Sequence, residues 1–124
     1  MKPITKEWMD KAEQDYQVVA FLQDAGLPVY DVICFHAQQS AEKFLKAWLI
    51  EQGVDFPRTH DLEILAKLAL PSFPDLQSLL DDLRFLTSFA VEIRYPGFAA
   101  EKEDADRCRD IAERLRALVL QTLA

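Results

Sequence analysis

Apolar residues recur at helical spacing along almost the whole chain and pause only where Gly and Pro gather. Those breakers stand at Gly26-Leu27-Pro28, Gly53 to Pro57, Pro71 to Pro74 and Pro96-Gly97, leaving five stretches of helical length. The first runs from about Thr5 to Asp24, with Trp8, Ala12, Tyr16 and Val19 as one apolar stripe. The second, from about Pro28 to Gln52, places Pro in its first turn, where a missing N–H loses no hydrogen bond. Its Ile33, Cys34, Ala37, Ala41, Phe44, Leu45 and Trp48 form a broad apolar arc, with Asp31, Gln38, Gln39, Glu42, Lys43 and Lys46 opposite. Val32, Phe35, Leu49 and Ile50 intrude on that polar side. A helix apolar on both sides needs two surfaces to bury against, so it is either central in the fold or these four residues form a homodimer interface.

The third helix is short, opening near Thr59-His60-Asp61-Leu62 with Thr59 as its cap and Asp61 facing the positive end of the dipole, and ending before Pro71. The fourth spans about Asp75 to Tyr95, with Leu76, Leu79, Leu80, Leu83, Leu86, Ala90 and Ile93 on one face, and Pro96 stops it. The last, about Lys102 to Leu123, buries Ala105, Cys108, Ile111, Ala112, Leu115, Leu118 and Val119. Short connections make successive helices antiparallel. The expected fold is all-α: an up-and-down antiparallel four-helix bundle with one additional short helix, in a single domain over residues 1–124.

Composition narrows the function. The formal charge of -7 repels polyanions, which excludes broad, sequence-independent binding to duplex DNA. Cys34 and Cys108, far apart, suit core positions in a reducing compartment better than a disulfide framework or a zinc site, and a cytoplasmic location is expected. No run approaches the roughly 20 apolar residues of a membrane span, and Met1 to Glu7 holds no secretory stretch. Glu-x-x-His, a phosphate loop, a dinucleotide turn and a hydrolase elbow are all missing, so neither a metal nor a cofactor is expected.

Arg94 follows Leu76, Leu83 and Thr87 on one stripe and is expected to point inward, where a guanidinium needs a carboxylate, carbonyls or a ligand phosphate. His60 and Asp61 stand at a helix start, where free amides favour an anion. His36, Gln39, Lys43 and Lys46 share the polar arc of the second helix, a wall for a phosphate or for a partner's carboxylates. Glu42 and Lys46 are also spaced for a routine exposed ion pair.

Taken together, Phe35-His36-Ala37-Gln38-Gln39-Ser40-Ala41-Glu42-Lys43-Phe44-Leu45-Lys46-Ala47, then Thr59-His60-Asp61-Leu62, then Ile93-Arg94-Tyr95-Pro96 resemble the HEPN domain family in order and spacing. The resemblance implies a helical bundle, frequently a homodimer, that binds nucleotides and is often encoded beside a minimal nucleotidyltransferase, the two forming a toxin–antitoxin or nucleotide-transfer pair. It also implies, for many members, metal-independent RNA cleavage by an Arg and a following His. Here Tyr95 to Glu101 contain no His, so only His60 or His36 is left to act with Arg94, Arg being unable to move a proton near neutrality. The expectation is therefore a non-catalytic or weakly catalytic binding module. Arg94, Tyr95, His60, Asp61, Lys43, Gln39 and Lys46 would hold a nucleotide phosphate or a partner nucleotidyltransferase. The alternatives are a ribonuclease toxin acting on RNA and a purely structural dimerisation subunit.

Overall fold

The computed structural model describes residues 1–91 and 95–123. Among them are five α-helices and one 3-10 helix, no strand, and no helix long and apolar enough to cross a membrane. Helix α1 (Pro3–Asp24) starts two residues earlier than expected because Pro3 occupies its first turn, where no N–H is needed. Pro28 lies outside α2 (Tyr30–Glu51), which Val29 precedes. The buried stripe of α1 is Thr5, Met9, Ala12, Asp15 and Val19, while Trp8 and Tyr16 sit half-buried beside it.

Polar tethers show that α1 and α2 run antiparallel. Thr5 Oγ1 donates to Glu51 Oε1 at 2.9 Å and Ser40 Oγ donates to the Ala12 carbonyl at 3.0 Å. Helix α5 (Lys102–Leu123) lies along α2 in the same direction, since the Ala100 amide donates to Asp31 at the start of α2 and Cys108 meets Cys34. The Cys34 thiol, and after it burial, hold the Cys108 thiol far above the ordinary thiol value, which leaves it protonated and unreactive.

Helix α2 packs against α1, α3 (Leu62–Ala69), α4 (Leu80–Thr87) and α5, so of the two readings of its two apolar sides the central position is realised. Leu49 is fully buried in the chain's own core and is not available to a second copy. Gln38, Glu42 and Lys46, expected on a solvated arc, are buried as well. Val32 is 43% exposed, and Phe35 and Ile50 are half-buried.

The fourth helix departs most from expectation. It begins as the 3-10 helix Pro74–Leu79, continues as α4, and ends at Thr87 rather than near Tyr95. The stop comes from hydroxyls, not from Gly or Pro. Thr87 Oγ1 donates back to the Leu83 carbonyl and Ser88 Oγ to the Phe85 carbonyl, while the amides of Ser88, Phe89 and Ala90 bond three residues back. That tightening unwinds the α register. Arg94, whose inward direction was extrapolated along this helix, lies outside the described residues. At α3 the cap is Asp61, whose Oδ1 accepts from the Glu63 and Ile64 amides, and Thr59 instead accepts from the Asp61 amide.

Helix α4 is clamped to α5 through Asp82, which takes hydrogen bonds from Arg107 at 3.3 Å and Arg114 at 2.7 Å. Burial pushes the Asp82 carboxyl up, but the hydrogen bonds from Arg114 and Arg107 outweigh it and hold the group below the ordinary 3.8. A carboxyl depressed by folding stabilises the native state above its unfolded value, and that contribution disappears as pH falls through the folded value. Asp82→Asn should therefore lower stability at pH 7 by about 1 kcal/mol, as for a partly exposed ion network. The gap from the unmodified protein should close as pH falls below 3.8. Thermal unfolding followed by circular dichroism across pH 2 to 7, a range set around the ordinary aspartate value, measures both, and a gap that persists in acid would contradict the assignment.

Candidate functional site

Two histidines stand against two carboxylates on either side of one stretch of α2. His60, in the segment before α3, places Nδ1 at 2.8 Å from Glu42 Oε1, while Lys46 Nζ donates to Glu42 Oε2 at 3.0 Å. The Glu42 side chain is only 6% exposed, so its charge must be matched inside the protein. Gln38 completes the cluster, donating through Nε2 to the His60 carbonyl at 2.9 Å and more weakly to Glu42, while Gln39 donates to Gln38 Oε1. Because a carboxylate accepts at Nδ1, the proton of a neutral imidazole sits there, and Nε2 is left as an acceptor on a ring that is 60% exposed.

The second cluster repeats the arrangement. Asp15, on the buried stripe of α1, meets His36 Nδ1 at 2.9 Å through Oδ1 and accepts from Lys43 Nζ through Oδ2. His36, Gln39, Lys43 and Lys46 are spaced by three and four residues and so share one side of α2. Together they extend for about 15 Å at the helical rise. Aromatic rings border the strip: Lys46 Nζ lies 5.8 Å from the ring centroids of both Trp8 and Phe56.

Several expected residues change role. Lys43 and Lys46 belong to the strip but are already paired with carboxylates, and the Glu42–Lys46 pair is buried rather than superficial. Asp61 uses its carboxylate to cap α3. Tyr95 is 63% exposed, and among the described residues no hydrogen bond or ring contact joins it to His60 or Lys43. The end of α4 lies beside the segment that carries His60, since Thr87 Oγ1 accepts from the Leu62 amide, two residues after His60.

Sequence reasoning missed Asp15, Gln38 and Glu42 as site residues. For Asp15 the signal was present, because it falls on the Ala12 to Val19 stripe, where an ionised side chain needs a cation from the facing helix. Among the described residues no group of His, Cys, Asp and Glu could hold a metal ion, and the arrangement offers acid–base and anion-binding chemistry instead.

A profile of the HEPN domain matches residues 5–122. The chain belongs to the HEPN domain family. The crystal structure of ST0689, an archaeal HEPN homologue, resembles this HEPN domain with 27% identity and a TM-score of 0.74 over 100% of both chains. The protein TT1696 from Thermus thermophilus shares the fold with a TM-score of 0.76 and 23% identity, over 94% of this chain and 96% of that one. No curated protein matches the sequence.

The Glu42 cluster of this HEPN domain makes an energetic demand that can be measured. Lys46→Met removes the cation from a buried carboxylate and should lower unfolding free energy by about 3 kcal/mol. Combining it with Glu42→Gln should recover most of that loss, because a neutral amide no longer needs the ammonium. Denaturant unfolding of the two single variants and the double variant tests this; additive losses would mean that the pair is not coupled.

Proposed function

We propose that this HEPN domain binds a phosphate-bearing nucleotide or RNA segment against the outward side of α2, with His60 as the principal contact. The observation that carries the reading is the hydrogen bond from His60 Nδ1 to buried Glu42, which fixes the ring and aims the remaining nitrogen at solvent. Protonation of Nε2 would create a charge-assisted donor for a phosphate oxygen without disturbing the rest of the cluster. Arg94 is proposed as the second contact, a bidentate clamp on the same phosphate. Calorimetric titration with AMP, ATP and a short single-stranded RNA should give saturable binding, weakened about tenfold in His60→Ala and in Arg94→Ala, a loss of about 1.4 kcal/mol each. Unchanged affinity in both variants would remove these residues from the site.

A second reading, metal-independent RNA cleavage, is favoured by the same carboxylate-held imidazole. Attack by a 2′-hydroxyl needs a group that takes its proton, and His60 supplies one where the chain lacks a His after Arg94. RNA degradation in the presence of EDTA, lost in His60→Ala, selects this reading; intact RNA alongside measurable binding selects the first. With neither, a structural subunit is what remains.

We further propose that the domain acts as a homodimer through Val32, Phe35 and Ile50, the partly exposed apolar residues of α2. Sedimentation at micromolar concentration should give twice the chain mass, and Val32→Asp should shift it to the monomer; a monomeric parent protein sinks this proposal. A minimal nucleotidyltransferase is proposed as the partner in a toxin–antitoxin or nucleotide-transfer pair, and co-purification with such an enzyme encoded next to the domain is its test.

A further inference from the structure

The sequence places Trp8 on the core stripe of α1, yet the folded chain gives that inner position to Met9 and leaves the indole half-buried at the side of the helix. Beside it lies an open depression of about 400 Å³ lined by Ile4, Glu7, Trp8, Lys11 and Lys43. That volume falls within the range of small-ligand sites. The lining combines an aromatic platform, an aliphatic wall, two ammonium groups and one carboxylate.

The two lysines are not equivalent. Lys43 is engaged by Asp15, whereas Lys11, exposed at the rim, has no carboxylate within ion-pair distance among the described residues, even though Glu7 stands one helical turn away. An unmatched ammonium next to an indole suits a flat ring that carries hydrogen-bond acceptors. Lys46 connects this depression to the His60 cluster, since its Nζ lies 3.0 Å from Glu42 Oε2 and 5.8 Å from the Trp8 ring centroid. Trp8 is thus linked to His60 through Lys46 and Glu42.

We propose that this depression is a base subsite: the purine ring of a nucleoside monophosphate whose phosphate meets His60 stacks on Trp8, Lys11 donates to an acceptor nitrogen of the ring, and Glu7 accepts a hydrogen bond from the exocyclic amine. The inference rests on the reading that the outward side of α2 receives a nucleotide, and it deepens that reading by naming what holds the base. Stacking on one aromatic side chain is sequence-tolerant and sufficient to change affinity measurably.

Trp8 and Trp48 are the only two tryptophans, and Trp48 is buried in the core. Proton–nitrogen correlation spectra therefore give two indole signals, one at the subsite and one that serves as an internal control. Titration with AMP should move the Trp8 indole signal and leave that of Trp48 in place, while ribose 5-phosphate, which lacks the base, should leave both unmoved. Trp8→Leu should weaken AMP binding about fivefold or more, Trp8→Phe should keep most of it, and Lys11→Glu should weaken AMP but not ribose 5-phosphate. AMP that perturbs the His60 ring but not Trp8 would overturn the subsite and leave the His60 reading standing. AMP that perturbs Trp8 alone would keep the subsite and remove His60 from the contact. Silence at both positions sinks both. A tetraglutamate peptide that moves the Trp8 signal where AMP does not would overturn the subsite in favour of an acidic partner segment.

Discussion

The carboxylate of Glu42 is the constraint around which the functional side of the molecule is arranged. An exposed pair four residues apart on a helix contributes a few tenths of a kcal/mol, and its loss would go unnoticed. Buried at 6% exposure, the same pair becomes obligatory, because an unmatched carboxylate there costs several kcal/mol. Lys46 answers one oxygen and His60 the other, while Gln38 ties the His60 backbone to α2. The segment before α3 is thus held in place by polar matching as well as by apolar packing, and the orientation of His60 is a by-product of satisfying a buried charge.

That arrangement explains why the fold is more legible in the sequence than the site. Helix ends written in Gly and Pro, as at Gly26 and Gly53, can be read directly, since each residue has its own backbone consequence and both glycines adopt positive φ. The end of α4 is written in Thr87 and Ser88, whose hydroxyls donate to backbone carbonyls, and Thr87 also accepts from the Leu62 amide. Hydroxyls rather than breakers mark this boundary, and apolar spacing alone carries the helix on through Ala90 to Tyr95. The inward direction expected for Arg94 rests on that overrun.

The polar arc of α2 misleads for a related reason. Periodicity separates apolar from polar positions, but it does not say what will cover the polar ones. Gln38, Glu42 and Lys46 read as solvated until the chain after α2 folds back and lays His60 and Phe56 over them. The spacing of His36, Gln39, Lys43 and Lys46 puts them on one strip, yet the carboxylates that organise the strip look like ordinary surface charges. Asp15 is the exception, an acid on an apolar stripe whose partners sit on the facing helix.

The seams between helices divide the labour further. Helix α2 meets its neighbours through a continuous apolar core, whereas α1 and α5 are joined by side chains at the rim, with Glu13 paired to Arg116, Asp24 to Arg109 and Tyr16 to Glu113. Rim pairs of that kind are screened by salt and contribute little individually. Both histidine clusters sit where α2 meets α1 or the segment before α3, and among the described residues neither draws a hydrogen bond or an ion pair from α5. Loosening the α1–α5 seam therefore leaves the site's internal partners in place, whereas any change that uncouples α1 from α2 removes Asp15 from His36 and Lys43 at once. The Asp15 cluster draws its rigidity from the antiparallel α1–α2 pair, and the His60 cluster draws its own from α2 and the segment before α3.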